Sequence, residues 1–186
     1  MVKLRIVNVV ATASLKQPID IVSAGRFSGF IHDSKKLGGR VTYFKSEEMR
    51  GRVAIFPNGK MISVGSVSLK DAIDNFMMAM NALVSNKLAK PTILEATIQN
   101  IVATVDFERR IDLEYLSTKF GAIYEPEQFP GAILRLESPK ASVLLFYSGK
   151  TVVLGTQSVE SLNEAVTKIS KLLDSVPQLS EKSSSL

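Results

Sequence analysis

The sequence predicts an α+β fold built from two copies of one unit, each joining an antiparallel sheet to two helices. Three observations predict it. Segments recur at a nearly constant offset, each copy contains β-branched runs separated by turn residues, and each copy ends in a long stretch of apolar residues at helical spacing. The pattern describes a pseudo-dimer within one chain.

The internal repeat is visible directly in the residues. Asn-Val-Val-Ala-Thr at 8–12 returns as Asn-Ile-Val-Ala-Thr at 100–104, an offset of 92 residues. Further along, Phe-Pro-Asn-Gly-Lys at 56–60 returns as Phe-Tyr-Ser-Gly-Lys at 146–150, an offset of 90. The offset therefore changes by two residues within the unit.

We predict that a hairpin absorbs this change, at residues 45–52 in the first copy and 137–141 in the second, because turns tolerate differences in length. The repeat predicts a first domain at residues 1–90 and a second at 91–176. Residues 177–186 are too polar to bury a core and are predicted to form a disordered tail.

The β-branched residues and turn signals place the strands. Tight turns are predicted at Asn58-Gly59 and Ser148-Gly149, each leading into a strand. Short helices are predicted near residues 19–26 and 112–119. The predicted strands are 4–15, 40–45, 52–56 and 60–65 in the first copy, and 96–107, 132–137, 142–147 and 150–155 in the second.

A long amphipathic helix closes each copy. Ser68 and Ser158 are predicted to cap these helices, because a serine hydroxyl accepts from the free N–H groups of the first turn. The apolar residues at helical spacing are Ala72, Ile73, Phe76, Met80, Leu83 and Val84 in the first copy, and Leu162, Ala165, Val166, Ile169, Leu172 and Leu173 in the second.

Composition excludes several classes of protein. The 186 residues are 45% hydrophobic and 22% charged, as in soluble globular proteins, and contain no cysteine for disulfides or thiolate metal sites. No apolar run is long enough to span a membrane, and residues 1–10 show no signal peptide pattern.

The net charge is +5, yet residues 1–90 are strongly basic and residues 91–186 are mildly acidic. The basic half is suited to binding a polyanion, and the acidic half is suited to binding a basic protein.

Two strands of the second copy are apolar on both faces. A half-buried strand alternates apolar and polar residues, but residues 143–146 and 151–154 do not. Two helices cover one face of a sheet, so something else must cover the other. A second sheet, a partner protein or the floor of a DNA minor groove would each serve.

Three segments resemble one known family. Tyr-Glu-Pro-Glu-Gln-Phe-Pro-Gly at 124–131, Leu-Leu-Phe-Tyr-Ser-Gly-Lys at 144–150 and Gln-Asn-Ile-Val-Ala at 99–103 look like TATA-box-binding proteins of the compact archaeal type. The resemblance covers about residues 4–176. It implies a saddle whose ten-stranded curved antiparallel sheet carries four helices on the convex face. The concave face of such proteins binds and bends duplex DNA through the minor groove.

The family's DNA-binding roles carry over by position. The resemblance implies that pairs of side chains wedge between base steps, that two asparagines read the centre of the site, and that an apolar floor and basic residues complete it. The wedges are Leu37 with Phe56, and Phe129, next to Pro130, with Phe146; the amides are Asn8 and Asn100; the floor is Val10, Ile62, Val64, Val102, Leu144, Val152 and Leu154; the basic residues are Lys60, Arg135 and Lys150.

The resemblance also implies partners. The acidic loop with Glu125, Glu127 and Gln128 would dock transcription factor B, and RNA polymerase would follow indirectly. The expected ligand is A/T-rich promoter DNA, with no cofactor, metal or membrane involved. A homodimer of free molecules is left open, and the expected location is the archaeal nucleoid, or the nucleus if the source is eukaryotic.

The first copy departs from the family pattern. Its loop reads Asp-Ser-Lys-Lys-Leu-Gly-Gly at 33–39, so Leu37 replaces the expected phenylalanine. By the offset of 92, Tyr43 stands where the second copy has Arg135. Val64 and Leu154 replace threonines of the family, which removes two donors to the minor groove. Sequence preference and bend are left open by these changes.

Three other functions are alternatives to this interpretation. An enzyme would need clustered catalytic groups, and the one histidine, His32, lies in a predicted basic loop without ligand companions. A saddle used as a DNA-grip module usually accompanies a catalytic domain. A divergent paralogue that binds transcription factor B but has weak or altered DNA binding stays the main alternative to a general transcription initiation factor.

Overall fold

The described part of the chain runs from residue 2 to residue 177. The computed structural model gives the backbone of this whole range and every side chain in it except those of Lys36 and Leu37. Of the predicted tail, all but Pro177 lies outside the described residues.

The chain divides into two compact units. Val7–Asn100 form one, here called the N-terminal unit, and Ile101 onwards with the residues up to Ile6 form the other, the C-terminal unit. The domain boundaries drawn from the repeat, 1–90 and 91–176, stay a prediction.

The N-terminal unit has five strands in the order β2-β3-β4-β5-β1, each antiparallel to its neighbour, and β1 belongs to it from Val7 onwards. Ser68 caps α2 as predicted, because its side chain accepts from the backbone N–H of Asp71. The elements are β1 (Lys3–Ser14), α1 (Ile21–Ala24), β2 (Phe30–His32), a 3-10 turn (Lys36–Gly39), β3 (Thr42–Phe44), β4 (Arg52–Ile55), β5 (Lys60–Ser66) and α2 (Leu69–Ser85).

The C-terminal unit repeats this arrangement with the order β6-β10-β9-β8-β7, and β6 belongs to it from Ile101 onwards. Ser158 caps α4 and forms a capping box with Ser161. The elements are β6 (Thr97–Asp106), α3 (Leu113–Phe120), β7 (Ile123–Tyr124), β8 (Gly131–Glu137), β9 (Lys140–Phe146), β10 (Lys150–Thr156) and α4 (Val159–Asp174).

The described residues thus contain the ten strands and four α-helices that were predicted. The resemblance implied all ten strands, but the residue pattern predicted only eight and gave no signal for β2 and β7, which have three and two residues. It also placed Ile73 on the buried stripe of α2, but this side chain is 38% exposed. Successive residues of a helix project in different directions, so Ile73, which directly follows the buried Ala72, points away from the sheet.

The helices of each unit pack on one face of its sheet. In the N-terminal unit, Phe76 and Leu83 of α2 are fully buried against Val53, Ile55 and Met61. Burying one such side chain stabilises the fold by about 2 kcal/mol. The opposite face of each sheet, here called the open face, carries no helix of its unit.

A buried polar cluster lies beneath α2. The Asn75 side chain donates to the Arg50 carbonyl at 2.8 Å and to the Ser66 hydroxyl at 3.1 Å, and the Ser63 hydroxyl lies 3.1 Å from that of Ser66. In the C-terminal unit the residue that matches Ser66 is Thr156, whose hydroxyl oxygen is buried without a partner in the described structure. The two copies therefore differ in how the buried hydroxyl at this matching position is hydrogen-bonded.

Candidate nucleic-acid interface

All seven residues predicted to form the apolar floor lie on the open faces. Side chains alternate between the two faces of a strand, so Ile62 and Val64 face away from α2 while Met61 and Ser63 are buried beneath it. The same alternation brings Val10 to the open face of the N-terminal unit. In the C-terminal unit it brings Val102, Leu144, Val152 and Leu154 there, all partly exposed.

Register adds residues that sequence reasoning missed. Ile62 lies opposite Thr12 and Ala54, and Leu144 lies opposite Ile133. Thr12, Ala54 and Ile133 therefore share the open face with the predicted floor. Counting every second residue from a predicted site residue would have identified them, because each lies two positions from one: Val10, Phe56 and Arg135.

A backbone irregularity fixes the side chain of Asn8. The register of β1 against β5 shifts between Val9 and Ala11, and Gly65 in this bulge has φ +89°. The backbone N–H of Gly65 donates to Oδ1 of Asn8 at 2.8 Å. Since an N–H can only pair with the oxygen of the amide, the Asn8 Nδ2 group is left as a donor. Asn100 is also partly exposed, in β6.

The predicted wedge pair of the second copy is assembled. The rings of Phe129 and Phe146 meet edge to face, with centroids 5.6 Å apart and planes at 62°. Both are partly exposed. Gly131 makes room for them, because a Cβ at this position would lie 2.8 Å from the Phe129 ring and 3.1 Å from the Phe146 ring.

The first copy differs in the loop that precedes β3. Pairing places His32 opposite Thr42 and Tyr124 opposite Ala132. Nine residues therefore separate His32 from Thr42 in the N-terminal unit, and seven separate Tyr124 from Ala132 in the C-terminal unit. The two-residue change lies in this loop.

The predicted position of this change, in the following hairpin, is wrong. Phe44 lies opposite Val53, and Leu134 lies opposite Val143, so both hairpins span the same number of residues. The sequence alone cannot place a gap between two segments of dissimilar residues, whereas strand register can.

Strand register also corrects the predicted match between Tyr43 and Arg135. Tyr43 lies opposite Ala54, as Ile133 lies opposite Leu144. Tyr43 therefore matches Ile133, and Lys45 matches Arg135. Both copies keep a basic side chain at that position. The match between Leu37 and Phe129 falls within the loop of unequal length and stays a prediction, since the side chain of Leu37 lies outside the described structure.

The remaining predicted contacts are on the surface. Lys60 and Lys150 are the exposed first residues of β5 and β10, Arg135 is exposed in β8, and Pro130 is exposed before it. Phe56 is partly exposed at the end of β4. The lysines follow turns in which glycine is required, because a Cβ on Gly59 would collide with the carbonyl oxygen of Gln17.

The acidic loop of the second copy is a surface turn. The backbone N–H groups of Gln128 and Phe129 both donate to the carbonyl of Glu125 at 2.9 Å. The side chains of Glu125, Glu127 and Gln128 are exposed. The loop thus presents two carboxylates beside the aromatic pair.

His32 serves the fold of the N-terminal unit. It ends strand β2 instead of lying in a loop, and its Nδ1 atom is 2.9 Å from the Thr42 hydroxyl. Thr42 donates to the Ile21 carbonyl, so it accepts from His32. Among residues 2–177, no group of three or more His, Cys, Asp or Glu side chains is placed to hold a metal ion.

Comparison with known proteins places the chain in a family. The family model described as transcription factor TFIID, or TATA-binding protein, matches the chain twice, at residues 3–84 and 95–176. The chain belongs to the TATA-binding protein family. The double match confirms that the internal repeat is a feature of this family.

Relatives and solved structures agree with the assignment. A TATA-box-binding protein from Cenarchaeum symbiosum is 38% identical over 163 residues, covering 87% of this chain and 88% of the relative. One from Archaeoglobus fulgidus is 34% identical, covering 92% and 94%. The solved TBP of Methanococcus jannaschii superposes with a TM-score of 0.84 at 29% identity, covering 92% of this chain and 98% of that one. The predicted TATA-binding protein fold is confirmed.

The length and polarity of the helices determine whether any of them could cross a membrane. Within residues 2–177 of this TATA-binding protein family member, no helix is both long and apolar enough to cross a bilayer.

Proposed function

We propose that the chain is a general transcription initiation factor that binds A/T-rich promoter DNA through the minor groove. The observation that carries the proposal is the open face, where an oriented amide donor stands beside a row of partly exposed apolar side chains. A·T pairs present only acceptors in the minor groove. The Nδ2 group of Asn8 supplies the matching donor, and Ile62 and Val64 supply the apolar contact. The proposal assigns no reaction to the chain, and its place of action is the archaeal nucleoid.

Competition binding tests this function. A labelled A/T-rich duplex is titrated with the protein and displaced by unlabelled A/T-rich or G/C-rich duplex of equal length. We expect stronger displacement by the A/T-rich competitor, and an affinity that falls steeply as salt rises, because lysines at the surface neutralise phosphates. Equal displacement by the two competitors would contradict the proposal.

We further propose that the protein bends the duplex. Minor-groove proteins, of which TATA-binding proteins are a standard example, insert apolar wedges between base steps and kink the DNA. Phe129 and Phe146 form such a pair in the C-terminal unit, whereas the N-terminal unit offers Phe56 with Leu37. Phe129→Ala and Phe146→Ala are expected to reduce bending more than Leu37→Ala. Energy transfer between dyes at the two duplex ends measures the bend, and equal losses from all three variants would refute the asymmetry.

The same proposal includes a protein partner. The exposed carboxylates of Glu125 and Glu127 fit a basic surface, and we assign them, with Gln128, to transcription factor B, through which RNA polymerase is recruited.

We also propose that the free protein associates with a second copy of itself through the open faces. Sedimentation with and without duplex tests it, because DNA on those faces would dissociate the dimer.

A second candidate function is a paralogue that binds transcription factor B but has weak or altered DNA binding. The longer basic loop at residues 33–41, where the C-terminal unit has an acidic loop at 125–131, favours it. Binding curves on one A/T-rich duplex, with and without transcription factor B, separate the two candidates. A general factor binds the duplex alone, whereas the paralogue requires the partner.

A further inference from the structure

The open face of the N-terminal unit carries an aromatic–guanidinium pair at positions where the C-terminal unit has neither an aromatic residue nor an arginine. The guanidinium carbon of Arg52 lies 4.9 Å from the centroid of the Tyr43 ring. By strand register, the corresponding residues of the C-terminal unit are Ser142 and Ile133. The pair is diagonal across β3 and β4, a spacing that long and aromatic side chains bridge.

The pair belongs to a cleft of about 340 Å³. Its lining residues, which include two basic side chains and one acidic side chain, are Ile31, Asp33, Tyr43, Lys45 and Arg52. Oδ1 of Asp33 accepts from the backbone N–H of Lys35 at 2.9 Å. The lining is therefore net positive.

The cleft continues the predicted DNA-binding surface. Arg52 lies directly opposite Val64 of the predicted floor, and Lys45 matches Arg135 of the other copy. A ligand lying along the floor of the N-terminal unit would therefore reach the cleft.

The chemistry of the pair favours a phosphate. A guanidinium stacked on an aromatic ring keeps its planar fork of N–H donors at the edge, where it binds phosphate oxygens in bidentate geometry. Stacking on the ring also restricts the Arg52 side chain before a ligand binds, so less conformational entropy is lost on binding. The ammonium of Lys45 adds a second positive charge in the same cleft.

We propose that Arg52 and Lys45 clamp a backbone phosphate of the bound duplex, with Tyr43 as the residue that positions Arg52. The inference rests on the proposed DNA-binding function and extends it to a contact made by the first copy alone. The N-terminal unit then adds an electrostatic contact with the DNA backbone at positions where the C-terminal unit has Ile133 and Ser142.

Replacing Arg52 with the residue of the other copy tests the clamp. Arg52→Ser is compared with Lys70→Ser, which removes one charge from the exposed start of α2 on the helix-covered side. The dissociation constant for an A/T-rich duplex is measured over a range of salt concentrations. We expect Arg52→Ser to weaken binding about tenfold and to lower the log–log salt slope by about one, and Lys70→Ser to change neither. Thermal melts establish that both variants are folded.

Two further variants test the roles of Tyr43 and Asp33. Tyr43→Phe keeps the ring and should retain the wild-type slope, whereas Tyr43→Ile should lose most of the Arg52 contribution. In the double variant with Arg52→Ser, Tyr43→Ile should have little additional effect, as expected when one residue acts through the other. Asp33→Asn removes the carboxylate and should tighten binding.

The outcomes distinguish the clamp from the underlying function. Failure of the wild-type protein to bind the A/T-rich duplex would overturn the proposed function itself. If the wild type binds and Arg52→Ser behaves like Lys70→Ser, the clamp is wrong. If Arg52→Ser alters the preference for A·T over G·C but leaves the salt slope unchanged, Arg52 contacts base edges and the phosphate assignment is wrong.

Discussion

Replacing Asn8 with aspartate separates DNA binding from folding. Oδ1 of Asn8 accepts from the Gly65 N–H at 2.8 Å, which leaves Nδ2 as the remaining donor of the amide. Asn8→Asp keeps an oxygen for Gly65 and replaces the Nδ2 donor with a second oxygen. The bulge at Gly65 is therefore expected to persist, while the group proposed to face the DNA changes from a donor to a charged acceptor.

The expected magnitude follows from the groups involved. Losing one donor to a base acceptor costs about 1 kcal/mol, and leaving that acceptor buried against an oxygen adds about 1–3 kcal/mol. A total of about 3 kcal/mol corresponds to roughly a hundredfold weaker affinity for an A/T-rich duplex. Unfolding free energy should change by less than about 0.5 kcal/mol, since the Gly65 N–H keeps its acceptor.

Asn8→Ala is the matched control, because it removes both the donor and the acceptor. Fluorescence anisotropy with a labelled duplex gives the affinity, and urea unfolding gives the stability of each variant. We expect both variants to lose affinity but only Asn8→Ala to lose stability, by about 1 kcal/mol. If Asn8→Asp binds within twofold of the wild type, Nδ2 does not contact DNA and the reasoning fails.

Three other predictions concern the partner surface, the core and pH. Reversing both charges in Glu125→Lys with Glu127→Lys should abolish the ternary complex with transcription factor B in a gel shift while leaving binary DNA binding intact; recruitment at wild-type concentrations would place the partner elsewhere. Thr156→Val removes a buried hydroxyl without a partner and should raise stability by about 1 kcal/mol, or the melting temperature by about 2–4 °C; a lower melting temperature would show that the hydroxyl is satisfied. The hydrogen bond from Lys3, with Nζ 2.6 Å from the Glu108 carboxylate, lowers the pKa of Glu108 to about 2 from its ordinary 4.5. Its stabilising effect is therefore complete above pH 4.5 and lost as the pH falls toward 2; NMR titration of the Glu108 carboxyl should show this, and a midpoint near 4.5 would exclude the pair.

Much of this protein could be predicted from the residues because local chemistry determines it. The caps at Ser68 and Ser158, the turns at Gly59 and Gly149, and the alternation that brings Ile62 and Val64 to the open face each depend on neighbours close in sequence. The repeat and the specific run at residues 124–131 then identified the family and with it the expected face for DNA.

Only the tertiary structure decided how the two copies align and what the first copy does differently. Strand pairing placed the extra two residues before β3 and matched Tyr43 with Ile133, because hydrogen-bond register compares positions across space. The hydrogen bond from Gly65 to Asn8 joins residues 57 positions apart. The stacking of Arg52 on Tyr43 likewise requires two strands to lie side by side. Contacts of this kind depend on chain folding over long separations, which composition and periodicity do not encode.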